Sequence, residues 1–302
     1  LSPSFNELEV ERERKSQLAA ISQQRDHLLS HTMRQSRNLL FGDKFYGLDS
    51  LGSIDTVSEF TSNQIRAHFE SVTTPPSSVI SIFGDIDITK IEDSILAKTN
   101  NWNGSAQLIN TPEITPLKSI NRKILETKKE QAVVVLAYYG SFLGQTDQTV
   151  LDLVSEALSD MGSRLFSRIR EELGLAYYVG AQNFSGIGTG CFSFYAGTGA
   201  DSAKQVEEEL ISQASQLAVD GLTQEELSRA KAKLSGQKKI SRQELGSVAF
   251  NSCMDELLGL GFNHSIDEEE RIENITLEQV KDVSNRYFNN DYYAVAISTP
   301  AP

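Results

Sequence analysis

Two residues seven positions apart, Arg170 and Tyr177, are of types that can donate hydrogen bonds to one acceptor oxygen. A guanidinium offers a fork of donors to a carbonyl oxygen, and a phenol can stabilise that oxygen as negative charge develops on it. Both lie in one string, Ser163-Arg164-Leu165-Phe166-Ser167-Arg168-Ile169-Arg170-Glu171-Glu172-Leu173-Gly174-Leu175-Ala176-Tyr177. Leu165, Phe166, Ile169 and Leu173 recur at helical spacing, so the string predicts a helix over about 162–173. Gly174 stands where a helix ends in a left-handed residue. From Leu175 to Phe184 the period changes to two, as on a strand. The turn between them can aim Arg170 and Tyr177 at one point on an open face. An Arg in a last helical turn is also favoured by the helix dipole, and Glu171 or Glu172 could pair with it. Arg170 taken alone therefore reads as structural.

A second candidate is His27-Leu28-Leu29-Ser30-His31, whose i, i+4 histidines have the spacing of a zinc-binding helix. The general base that such a helix needs is absent, because Leu28 and Ser30 occupy the two positions where Glu would serve. His27 and His31 therefore read as polar residues of an amphipathic helix, and no metal is expected here. No phosphate-binding loop or nucleophile elbow is present. Ser228 and Lys231, like Ser235 and Lys238, fall in a charged helical stretch, and Gly186 to Gly190 suggests a hairpin.

The 302 residues carry a net charge of −13, which argues against nucleic-acid and acidic-membrane partners. No apolar run reaches membrane-spanning length, and no signal peptide is recognisable, although Leu1-Ser2-Pro3 does not resemble a natural start. Cys191 and Cys253 are too few for a disulfide framework and read as buried thiols. The compartment is left open.

An internal repeat organises the rest. Val57 to Ile65 aligns with Ile272 to Val280, each pair standing 215 positions apart, and the same offset carries Val79-Ile80-Ser81-Ile82 onto Ala294-Val295-Ala296-Ile297. Each copy reads as a Thr-capped helix followed by a buried strand. Further upstream, the helix from about Glu7 to Ile21 matches one from Gln224 to Ile240. A unit of this length does not fit twice into 302 residues, so the first copy is expected to be only a C-terminal part, with the remainder upstream of Leu1. The expected division is 1–105 for that part, 106–118 for a Pro-containing linker, and 119–302 for a complete second domain. Strands grouped before helices predict α+β architecture: duplicated two-layer α/β sandwiches with a largely antiparallel sheet under helices.

The string from Ser163 to Tyr177 resembles the second-domain signature of the pitrilysin/insulinase (inverzincin) family of zinc peptidases. That family includes the mitochondrial processing peptidases and their non-catalytic relatives. The resemblance implies that Arg170 and Tyr177 contact substrate. A catalytic member carries H-x-x-E-H and a downstream Glu ligand. The helix Glu11 to Ile21 resembles the one supplying that Glu, and Ala20 stands in its place. Phe41-Gly42-Asp43-Lys44-Phe45-Tyr46-Gly47 matches the glycine-rich stretch after that helix, with Lys44-Phe45 replacing His-Pro. The resemblance implies a non-catalytic half, inactive alone and without a cofactor of its own. Zinc is expected in a complementary half, either fused or separate, and peptide is the substrate. The alternatives are a structural subunit like the respiratory-complex core proteins, or a peptide-binding module.

Overall fold

The computed structural model describes residues 3–106, 114–289 and 291–301. Its α-helices are α1 (Glu7–Asp26), α2 (Leu28–Phe41), α3 (Ile54–Glu59), α4 (Ser62–Val72), α5 (Ile88–Thr99), α6 (Thr146–Ala157), α7 (Ala203–Asp220), α8 (Gln224–Ser241), α9 (Leu245–Leu257), α10 (Glu268–Glu273) and α11 (Leu277–Phe288). The strands are β1 (Asn121–Thr127), β2 (Gln131–Gly140), β3 (Ala176–Ser185), β4 (Gly190–Gly199) and β5 (Ala294–Pro300). The α+β class read from the sequence is the observed one.

The chain forms two compact units, both discontinuous. One comprises Leu1–Leu18, Ile54–Asn110 and Ser235–Glu270; the other comprises Ala19–Ser53, Thr111–Leu234 and Arg271–Pro302. The units follow neither 1–105 nor 119–302, because segments of each stretch are exchanged. Ala19–Ser53 belongs with the second copy, and Ser235–Glu270, close to its counterpart at the offset of 215, belongs with the first. Most of the expected linker, residues 107–113, lies outside the described residues.

In the larger unit the five strands run in the order β1-β5-β2-β4-β3, antiparallel except for the β1–β5 pair. Alternation along β2 explains the layering. Val134, Leu136 and Tyr138 face a core shared with Leu151, Leu210, Val280 and Phe288 of α6, α7 and α11. Ala137 faces the other side, with Cys191 and Leu40 and Phe41 of α2. Thr32 on α2 meets Ser298 on β5 through hydroxyls 2.7 Å apart, both fully buried.

The smaller unit is built differently. Thr61 caps α4 and exchanges bonds with Gln64, as Thr276 does with Gln279 on α11, so the repeat extends to identical capping boxes. Trp102 donates its indole N–H to the Thr73 carbonyl (3.1 Å), and Cys253, half-buried rather than buried, donates its thiol to the Val79 carbonyl (3.3 Å). The expected strand Val79–Ile82 does not form. Its counterpart β5 is hydrogen-bonded to strands on both sides, whereas no described residue pairs with 79–82 as a strand. Ile80, Ile82 and Phe83 stand 55%, 41% and 43% exposed, and Val57 is the one buried apolar side chain among the described residues of this unit.

Candidate functional site

Arg170 and Tyr177 are both carried on irregular backbone. The expected helix is π-helical over Phe166–Glu172, and Leu173 N–H bonds to the Arg168 carbonyl five residues back (3.2 Å). Such wide turns recur at functional sites. Gly174 then takes φ +64°, with nothing within 4 Å of where a Cβ would sit, so backbone conformation rather than space calls for glycine. Leu175 N–H returns to the Ile169 carbonyl (2.9 Å) and clasps the turn. On β3 the register slips between Ala176, opposite Thr198, and Tyr178, opposite Gly197. Tyr177 is the extra residue of this bulge, a device that re-aims a side chain.

Three arginines of the string have three different surroundings. Arg164 grips Glu226 through two bonds of 2.7 and 2.5 Å and also donates to the Gly221 carbonyl. Arg168 pairs with Glu172 (2.9 Å) and Glu209 (3.2 Å). Arg170 is exposed, and its guanidinium lies over the Phe166 ring, 4.7 Å from the centroid. Among the described residues it makes no ion pair; Glu172 is taken by Arg168. Tyr177 is 57% exposed, and its hydroxyl has no partner among the described residues. In sequence Tyr177 falls in one row with Leu175, Val179 and Ala181, and the bulge takes it out of that row. The sequence did not signal the π-turn or the bulge; one residue more than an α-helix holds is visible only in the hydrogen bonds.

His27 and His31 do not suit a metal. His27 caps α2, its Nδ1 accepting from Ser30 N–H, with the Ser30 hydroxyl 2.8 Å away. Burial, and then Arg34, Arg25 and Lys123, push the His31 pKa down. A site surrounded by cations repels a dication. The described residues contain no group of three or more His, Cys, Asp or Glu placed to hold a metal ion. Ala20 lies part-buried on α1 and offers no ligand atom. The hairpin at Gly186–Gly190 is as expected, closed by Gly186 N–H to the Thr189 carbonyl.

The model of the peptidase M16 inactive domain matches residues 59–234, more than half of the chain. The chain belongs to the M16 peptidase family. It is 29% identical over 269 residues to the uncharacterized zinc protease YmxG of Bacillus subtilis, and 28% identical over 271 residues to an uncharacterized zinc protease of Streptomyces coelicolor. These alignments cover 86% and 85% of the chain, but 63% and 56% of the relatives' own lengths. The fold is that of the peptidase M16 inactive domain from Pseudomonas fluorescens, with a TM-score of 0.89 at 21% identity covering 100% of this chain and 72% of that one. It is also similar in fold to a chain of complex III2 from Candida albicans (TM-score 0.79, 15% identity, 95% of this chain, 70% of that one). The matched family model and the Pseudomonas fluorescens structure are both of the inactive domain, so this M16 chain resembles the non-catalytic half of the family.

Proposed function

We propose that this chain forms part of the non-catalytic half of an M16 peptidase, and that it positions peptide for cleavage by a zinc-bearing half. The carrying observation is that Arg170 and Tyr177 are exposed and without an ion-pair or hydrogen-bond partner among the described residues, yet sit on a turn fixed by backbone bonds and Gly174. Arg170 would donate to a substrate carbonyl, and the Tyr177 hydroxyl would hold the oxygen on which charge develops. Zinc and its general base, supplied by the complementary half on the same polypeptide or on another, would activate the attacking water. The test mixes the two halves and measures peptide hydrolysis. Tyr177→Phe, which keeps the ring, should lower turnover by about a hundredfold to a thousandfold, the range for one donor to a developing oxyanion. Full activity in that variant would remove Tyr177 from the mechanism. A structural-subunit reading draws on the likeness to complex III2 and predicts that neither residue matters for any reaction.

We further propose that the smaller unit is an incomplete first copy, to be completed by a strand-bearing segment like β1–β4 that seats against Val79–Ile82. Ile80, Ile82 and Phe83 are exposed where their counterparts in β5 are buried. A chain carrying that segment should protect the amides of 79–82 from hydrogen exchange. Unchanged exchange would refute the completion.

A further inference from the structure

Beside α2, on the sheet face away from α6 and α7, lies a cleft of about 350 Å3. Its polar lining includes Arg37, Gln182, Ser193 and Tyr195, with Gln24 and Ser30 beside them, and its apolar lining includes Leu29, Met33 and Phe184. No carboxylate among the described residues lines it, although the chain as a whole carries −13. Arg37 makes no ion pair among the described residues, and its Nε is shut off from solvent with no hydrogen-bond partner. A buried donor left unpaired is costly, and a charged one more so. The other ionisable groups give Arg37 no counter-charge. Burial pushes the Cys191 thiol up to about 11 and raises the Tyr195 phenol, so both stay neutral. The cleft is thus a cation with neutral hydrogen-bonding side chains around it and an apolar flank. It fits an anionic acceptor that also bears an apolar group.

A second cleft, of about 570 Å3, shares Leu29 with the first and continues past Tyr178 to Gln131, with Lys129, Glu130 and Asp26 also in its lining. The Tyr178 and Tyr195 rings stand 6.5 Å apart where the two meet. Close approach shapes this junction: a Cβ on Gly197 would fall 2.3 Å from the Tyr178 ring. The two clefts share the Leu29 wall, so an extended chain lying in the second leads toward Arg37.

We propose that this groove binds the C-terminal end of a peptide, with the terminal carboxylate on Arg37 and an apolar last side chain against Leu29, Met33 and Phe184. This deepens the peptide-positioning reading and rests on it, but it concerns binding by this chain alone. The test is fluorescence anisotropy with an N-terminally labelled hexapeptide ending in Leu, as the free acid and as the amide. The free acid should bind at least tenfold more tightly than the amide. Arg37→Gln should lower acid binding to the amide's level, and Arg37→Lys, which keeps the charge without the fork, should restore part of the difference. Arg12→Gln, at an exposed position in the other unit, serves as the charge control and should bind as wild type. Equal binding of acid and amide overturns the proposal, as does an Arg37→Gln variant that binds the acid normally. Displacement by inorganic phosphate at the peptide's own concentration would also overturn it, because the apolar flank would then contribute nothing. If Arg37→Gln does not fold, the acid–amide comparison on the wild-type chain decides alone. Loss of this proposal leaves the Tyr177 assay with the zinc-bearing half untouched, so the two readings fail separately.

Discussion

Replacing Arg164 by Met tests whether the signature string is anchored by its first arginine, while Arg170 stays exposed. Arg164 donates from Nε and Nη2 to both oxygens of Glu226, and Glu226 also accepts the Thr223 N–H at 2.8 Å. Glu226 is 8% exposed. Burial raises its pKa, but the bonds from Arg164 and Thr223 outweigh this and hold it below the ordinary carboxylate value. Breaking a buried pair from one side costs roughly 3–5 kcal/mol. Here Glu226 keeps one N–H donor and Arg164 reaches the surface in part, so about 2–3 kcal/mol is expected. For a folding unit of this size that lowers Tm by roughly 5–10 °C. Glu226→Gln should cost less, and the double variant should show a coupling of about 1–2 kcal/mol in a double-mutant cycle. Because the folded carboxyl is depressed, the contribution is complete above its unfolded value, about 4.3 for Glu in a model peptide. It is lost as pH falls through the folded value, so the gap between wild type and Arg164→Met should close below about pH 4. Urea denaturation at about pH 7 and about pH 3.5 measures both effects. A loss under about 0.5 kcal/mol, or strict additivity, would refute the anchoring role.

The same geometry yields further expected outcomes. Gly174→Ala should cost about 1 kcal/mol through the left-handed φ alone, and Gly174→Asn clearly less, as read by thermal melting. Equal losses would mean that the glycine is not there for its backbone. Burial and the cations around His31 lower its folded pKa, so the unfolded chain takes up the proton first as pH falls. Stability should therefore decline as pH drops from about 7.5 to 5.5, and His31→Gln should flatten that slope. Ile297→Ala should cost about 2–4 kcal/mol, whereas Ile82→Ala, its counterpart in the repeat, should stay within about 0.5 in this chain. Equal costs measured by denaturant unfolding would contradict the exposure of Ile82.

The elements of the larger unit were legible because their periods are uninterrupted. β2 reads as an apolar run of Ala, Val and Leu closing on Tyr138 and Tyr139, and α11 announces itself by Thr276 and Gln279 at the start of an amphipathic run. Arg170 and Tyr177 were singled out for another reason: the signature is contiguous, so one short stretch of sequence holds the whole turn. The partition of the chain was not legible, because a repeat in sequence says which segments are alike and not which pack together. Ala19–Ser53 and Ser235–Glu270 carry similar patterns, and each belongs with the other copy's unit.

Val79–Ile82 and Ala294–Ile297 share a pattern, and only the second is a strand. A helix satisfies its backbone groups internally, which is why α4 and α11 form alike under identical caps. A strand must find its hydrogen bonds on neighbours. β5 finds them on β1 and β2, and its side chains are buried as a consequence of that pairing. The same four-residue pattern without neighbours keeps its apolar side chains in water. The Arg37 groove was invisible for a related reason, since it joins a helix near residue 37 to strands near 182 and 193, and no local window contains it. What could have found it is alternation: Gln182 and Phe184 on β3, and Cys191, Ser193 and Tyr195 on β4, each recur with period two. These two rows share one face of the sheet, and it is the face that α2 only partly covers.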